Sequence, residues 1–201
     1  PNLSIGAHLN LTLGKPLSQN INLSPLLNTD GEFYDLNTLK KINFTTTLKT
    51  AIYTELSLQI EKIKEAGIEI SHIDSHNHIH YIPKLFFIFK KIQKKYSIKK
   101  IRLARTLWSI HEEIGIQKKI RSFLFNFFIK NYYSSFTTSG FTNFLSFYEH
   151  AVDKQEILNY RSLEIMVHPG SKTSDYRIGL LKSEWQKKIK FPIEFINYNQ
   201  L

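Results

Sequence analysis

The sequence predicts an α/β fold, a (β/α) barrel of mostly parallel strands, on two observations. Short apolar runs that suit buried strands alternate several times with longer stretches of helical spacing, the pattern of strands side by side with helices packed across them. Histidines then gather where those strands end, which is where alternating strand and helix folds assemble their sites. No internal repeat and no linker rich in Gly, Ser or Pro divides the chain, so one domain over residues 1–201 is expected.

The elements follow in order. Residues 3–11 alternate well enough for a first strand, closed by the turn chemistry of Gly14-Lys15-Pro16, with His8 near its end. Residues 18–35 carry Asn, Ser, Pro and Asp-Gly signals and read as a long loop. Apolar spacing through Leu39, Ile42, Leu48, Ile52, Leu56, Ile60 and Ile63 suits one helix, which Gly67 stops. Residues 68–73 read as a strand leading into the histidines. A proline in the first turn opens a helix over 83–96, with Leu85, Phe86, Phe89 and Ile92 as its buried stripe. Residues 98–103 suit a short strand, 116–132 an aromatic-rich helix, and 134–147 a mixture of loop, strand and short helix. Residues 162–167 form a strand running into His168-Pro169-Gly170. The neighbours of Trp185 suit a helix, and 193–196 a final strand.

Composition narrows the function classes. The chain has 201 residues, 42% of them hydrophobic and 13% aromatic, enough for one sizeable core. It has no cysteine, which excludes disulfides and thiolate zinc sites, leaves histidine and carboxylate as metal ligands, and agrees with a cytoplasmic location. A net charge of +10 raises the question of nucleic acid. However, Lys90, Lys91, Lys94, Lys95, Lys99, Lys100, Lys118, Lys119, Lys187, Lys188 and Lys190 are spread mostly over the polar sides of amphipathic helices, as solvated faces are. Nucleic acid is therefore not expected as a partner. No apolar run approaches the roughly 20 residues that span a bilayer, and no secretion signal is present. The chain opens on Pro1 rather than methionine, as a fragment would.

The densest chemistry lies in Asp74-Ser75-His76-Asn77-His78-Ile79-His80, with His72 just upstream; four of the eight histidines fall within residues 72–80. In an extended chain, alternate residues share a face, so Asp74, His76, His78 and His80 would project together and suit a divalent metal. The competing reading is a solvated tract that binds metal only adventitiously. Its setting favours the first, because a strand leads in and Pro83 opens a helix just beyond. His8 and His168 stand at two other strand ends, so three distant segments are expected to converge.

Ile-Gly-Ala-His-Leu-Asn-Leu-Thr-Leu-Gly-Lys-Pro-Leu, His-Ile-Asp-Ser-His-Asn-His-Ile-His-Tyr-Ile-Pro and Glu-Ile-Met-Val-His-Pro-Gly, in this order, resemble the YdjC family, whose members include the ChbG and HpnK carbohydrate deacetylases. The similarity runs from Leu3 to the carboxyl end, through Asp30-Gly31, Ile101-Arg102 and the closing segment from Arg177 to Leu201. The resemblance implies a (β/α) barrel and metal-dependent removal of N-acetyl groups from acetylated amino-sugar oligosaccharides of the chitobiose type, in the cytoplasm. It implies magnesium as the metal, with zinc as the alternative. Carried over, His8 and His76 match the metal histidines, and His168 matches the late active-site motif and would protonate the leaving amine. Asp74 would orient an imidazole, with capping of the turn as its other reading.

His78, His80 and Arg102 are the expected sugar contacts, with an Arg102–Glu164 ion pair as the rival reading. Tyr81 and Trp108 are either stacking platforms or packing residues. The family's first strand ends in an Asn-Ala-Asp-Asp-Phe-Gly type of motif that this sequence does not contain. The resemblance thus implies a barrel incomplete at its N-terminal end, marginally stable because sheet edges are left unpaired. It also keeps open an inactive fragment or a degenerate glycan-binding relative. An amidohydrolase type of barrel, with His-x-His on the first strand and an aspartate on the last, fits the order of motifs less well. A homodimer completes the expectations.

Overall fold

The computed structural model describes residues 3–132, 135–154, 156–168 and 175–201. It is an α/β protein with parallel strand pairing whose backbone falls into two compact units. The first comprises residues 1–101, 131–136 and 197–200, and the second residues 102–130, 137–196 and 201.

In the first unit β1 (Ile5–Leu9) pairs in parallel with β2 (Ile70–Ser75), placing Gly6 opposite His72 and His8 opposite Asp74. Two helices make the crossover, α1 (Leu36–Lys41) and α2 (Thr46–Glu65), where the sequence suggested one. The break has a local cause. Asp35 Oδ1 accepts the Thr38 N–H at 2.8 Å, Thr45 Oγ1 accepts the Leu48 N–H at 3.2 Å, and Ile42 is extended, so each helix has its own N-cap. The bond from the Thr38 amide also holds the Asp35 carboxyl below its ordinary value. The jump from Ile42 to Leu48 was the sequence sign of this break, because six residues is neither three nor four.

Leu48, Ile52, Leu56 and Ile60 of α2 are fully buried or nearly so, and α2 packs on β1, whose Ala7 and Leu9 are buried. Burial stabilises by about 1.5–3 kcal/mol for each large aliphatic side chain. Gly67 stops α2 with φ 75°, in the left-handed region that glycine enters freely. After β2, a short turn from Pro83 leads into α3 (Phe86–Tyr96), which buries Ile88, Phe89 and Ile92. The strand expected over 98–103 is reduced to bridges, Ile73 with Ile101 and Lys100 with Phe136, both parallel.

Lys90 departs from the expected solvated face. It is only 3% exposed, and its Nζ donates to Gln93 Oε1 at 2.9 Å and to Ser135 Oγ at 2.8 Å. Burial lowers its pKa to about 7.

In the second unit α4 (Ile116–Asn131), whose last residue belongs to the first unit, precedes β3 (Gly140–Asn143), α5 (Phe144–Glu149), β4 (Leu163–Met166) and α6 (Asp175–Lys182). β3 and β4 pair in parallel, with Phe141 opposite Glu164. The core gathers Leu107, Phe144, Phe147, Ala151, Ile157 and Trp185, with the indole edge-on to both phenylalanines. The expected strand over 193–196 does not form; Phe195 and Ile196 are exposed and belong to no sheet. Among the described residues the strands make two parallel pairs rather than a closed barrel.

Candidate functional site

The register of β1 on β2 brings His8 Nδ1 to 2.8 Å from Asp74 Oδ1. A carboxylate can only accept, so Nδ1 carries the proton and the neutral ring keeps its lone pair on Nε2. Burial is one-sided: the Asp74 side chain is 9% exposed and that of His8 52%. The ring is thus oriented from below and open above.

His76 is the first residue beyond β2, and its ring centre lies 5.8 Å from that of His8, with the planes at 83°. An imidazole centre sits roughly 3 Å from an ion bound at about 2.0–2.1 Å, so two rings on one cation have centres about 5–6 Å apart. The pair fits that requirement. Among the described residues no group of three or more His, Asp or Glu is arranged to hold a metal.

Past Ser75 the expected alternation fails. Asn77 (φ 51°, ψ 22°) and His78 (φ 53°, ψ 37°) are left-handed, which curls the chain into a turn and ends the shared face of Asp74, His76, His78 and His80. His80 is 1% exposed, with its N–H 3.1 Å from Ser75 Oγ, its Nδ1 bonded to the same hydroxyl, and its ring against Tyr81 and Phe89. His78 stacks on Tyr81 at 5.3 Å. Asn77 Nδ2 donates to Thr12 Oγ1 at 3.2 Å, tying the turn to the segment after β1.

One step down the same face, His72 lies over Gly6 and under the Tyr198 ring, whose centre is 3.6 Å away. A Cβ on Gly6 would stand 2.4 Å from the imidazole, so this close approach requires glycine. A glycine inside a strand pattern was the available signal for it. Nothing in the spacing singled out Ser75 as the anchor of the histidine turn.

The remaining expected residues lie in the second unit. Arg102 Nε is 2.6 Å from Glu164 Oε1, with side chains 13% and 11% exposed, and its guanidinium sits 5.0 Å from the Phe141 ring centre. This is the ion pair weighed against a sugar contact. His168 follows β4 and is exposed, while residues 169–170 of its motif lie outside the described residues. Trp108 has its indole Nε1 buried.

Comparison with known proteins adds the family. A carbohydrate deacetylase of Clostridium beijerinckii is 30% identical over 97% of this chain and 74% of its own length. One of Oceanobacillus iheyensis is 29% identical over 88% of this chain and 66% of its own length, and one of Vibrio campbellii 38% identical over 49% and 37%. The chain therefore spans less than two thirds of the last two. A crystal structure of an Enterococcus faecalis protein named for cellobiose-phosphate cleavage superposes with a TM-score of 0.70 at 24% identity, covering 100% of this chain and 78% of that one, which supports the fold. With its imidazole pair at the ends of parallel strands, and with the model for YdjC-like proteins matching residues 1–194, this chain belongs to the YdjC-like family.

Proposed function

We propose that this chain acts as a metal-dependent carbohydrate deacetylase, hydrolysing the N-acetyl group of acetylated amino-sugar oligosaccharides of the chitobiose type in the cytoplasm. The observation that carries the reading is the His8–His76 pair, with Asp74 holding one ring so that its Nε2 presents a lone pair. His8 and His76 would hold a divalent cation, magnesium first and zinc second. Bound there, the ion would polarise the acetyl carbonyl and acidify a water molecule.

Asp74 fixes the tautomer and orientation of His8, the role a carboxylate plays behind a ligating imidazole. As the C–N bond breaks, the departing amine must gain a proton, and His168 is the residue we assign to donate it. The water's proton must pass to a base. Asp74 is occupied by His8, and the sequence holds no Asp-Asp pair, so no residue is assigned that task. His78, supported by Tyr81, contacts sugar hydroxyls in this reading, His80 steadies the turn through Ser75, and Arg102 reaches substrate only by leaving Glu164.

Acetate release from N,N′-diacetylchitobiose, measured with magnesium, with zinc and after chelation, tests the proposal. Metal-dependent release is expected; none from any acetylated amino sugar with either metal would sink it. A second reading, glycan binding without turnover, is favoured by the pair's lack of a third described ligand. Calorimetry separates the two. Oligosaccharide binding without stoichiometric metal binding selects the second.

A further inference from the structure

The outward side of α4 carries Ile116, Ile120, Phe123, Leu124, Phe127 and Phe128, each between 47% and 69% exposed. At about 100° per residue these six fall in one arc of roughly 140°. Arg121 borders the arc on one side, Lys119 and Lys130 on the other, and no carboxylate occurs between Ile116 and Asn131. The opposite side is anchored: Ile129 is buried, and Asn126 exchanges hydrogen bonds with the Ala104 N–H and C=O at 2.7 and 3.1 Å. The helix is therefore held with its apolar side outward. Six adjacent side chains of this size exceed the scattered apolar exposure normal for a surface.

A cavity of about 470 Å³ lies beside this arc, lined by Trp108, Lys119, Ser122 and Lys130 among others. With the Lys119 and Lys130 ammonium groups on the cavity wall, an anionic oxygen is the ligand that suits it.

We propose that α4 docks on an anionic phospholipid surface, its apolar arc entering the acyl boundary and a lipid phosphate entering the cavity against Trp108, Lys119 and Lys130. An apolar stripe flanked on both sides by long cations is the pattern of helices lying in a bilayer interface, where lysine and arginine reach back to the headgroups. Among the described residues no helix is long and apolar enough to cross a membrane, so the contact is peripheral. A second copy suits the face less well. Two antiparallel α4 helices would set Lys119 against Lys130 with no acid on either helix to pair them. The reading does not depend on deacetylase activity.

Vesicle sedimentation of the 201-residue chain tests it. Binding is expected to vesicles of equal parts phosphatidylglycerol and phosphatidylcholine, with little to phosphatidylcholine alone, and it should weaken as salt rises. Phe123→Asp with Phe128→Asp should abolish binding, and Lys119→Glu with Lys130→Glu should weaken it roughly tenfold or more. These side chains are exposed, so thermal melts of the variants should match the parent. A blue shift in tryptophan emission on adding anionic vesicles should vanish in Trp108→Phe. The proposal falls if anionic vesicles are not bound, or if Phe123→Asp with Phe128→Asp binds them as well as the parent. It also falls if a lipid-free dimer is lost in that variant, which would give the face to a second copy. Inorganic phosphate shifting the emission without vesicle binding would make the cavity a free-anion site and overturn it too.

Discussion

At the end of β2 a buried carboxylate, Asp74, holds an imidazole that is half exposed, whereas on β4 a largely shielded carboxylate, Glu164, holds a guanidinium shielded as well as itself. The backbone setting is the same, a parallel two-stranded pair. A pair largely shielded from solvent on both sides serves the fold, because either partner alone would be a poorly compensated charge. A pair open on one side keeps a ring nitrogen available to a ligand. Asymmetry of burial, more than the presence of an acid and a base, separates a site from a strut.

The largest effect is expected at the open pair. His8→Ala or His76→Ala should remove stoichiometric metal binding in calorimetry and lower acetate release by roughly 10²-fold or more. Stability should change by about 0.5 kcal/mol or less, since both rings are partly exposed. Full metal binding in His8→Ala would break the contrast. At the closed pair the signature inverts. Arg102→Ala should cost about 3–5 kcal/mol in urea unfolding, while Arg102→Met combined with Glu164→Met should be near neutral. Equal losses in both variants would show that packing against Phe141 matters more than charge.

Lys90 gives a buried cation without the geometry of either pair. Its folded value near 7 lies below the ordinary 10.5, so between those values the unfolded chain binds more protons and stability should rise with pH. The gain builds up through this window, complete above pH 10.5 and lost as pH falls to 7. Lys90→Met should flatten that slope in denaturant titrations run across the window, and an unchanged slope would assign it to other groups. The smallest effect is expected from Asp74→Asn, which keeps an oxygen acceptor for His8 but loses its charge. Metal affinity should fall about 10- to 100-fold with the melt little changed. A fall as large as that of His8→Ala would mean that Asp74 touches the ion itself.

The placement of His8 and Asp74 on the ends of their strands, with His76 just beyond, was legible because strand periodicity and strand-end position are local properties, whereas only the family resemblance picked His76 out of the cluster. His78 and His80 were misplaced on that face because the left-handed backbone at Asn77 and His78 leaves no mark in a two-residue period. Lys90 was hidden for a related reason. Lys90, Lys91, Lys94 and Lys95 look alike along α3, and the bonds to Gln93 and to the distant Ser135 that mark the one turning inward are made only on folding. The α1–α2 break was written in the six-residue gap and in Thr45. Pairing over 98–103 and 193–196 depends on neighbours far away in sequence, and β-propensity alone does not supply them.

Tyr198 reaches back across the whole chain: its ring covers His72, its amide is bonded to Ser4 Oγ across 194 positions, and its carbonyl accepts from Lys100 Nζ. During synthesis β1, α2 and β2 leave the ribosome with more than a hundred residues still to come. Until the piece bearing Tyr198 emerges, the face of the His72 ring that Tyr198 covers stays open beside the strands that carry the imidazole pair. The strand pair at the heart of the first unit is therefore made well before the residue that closes it, and a nascent chain arrested short of Tyr198 should be open to protease around β2.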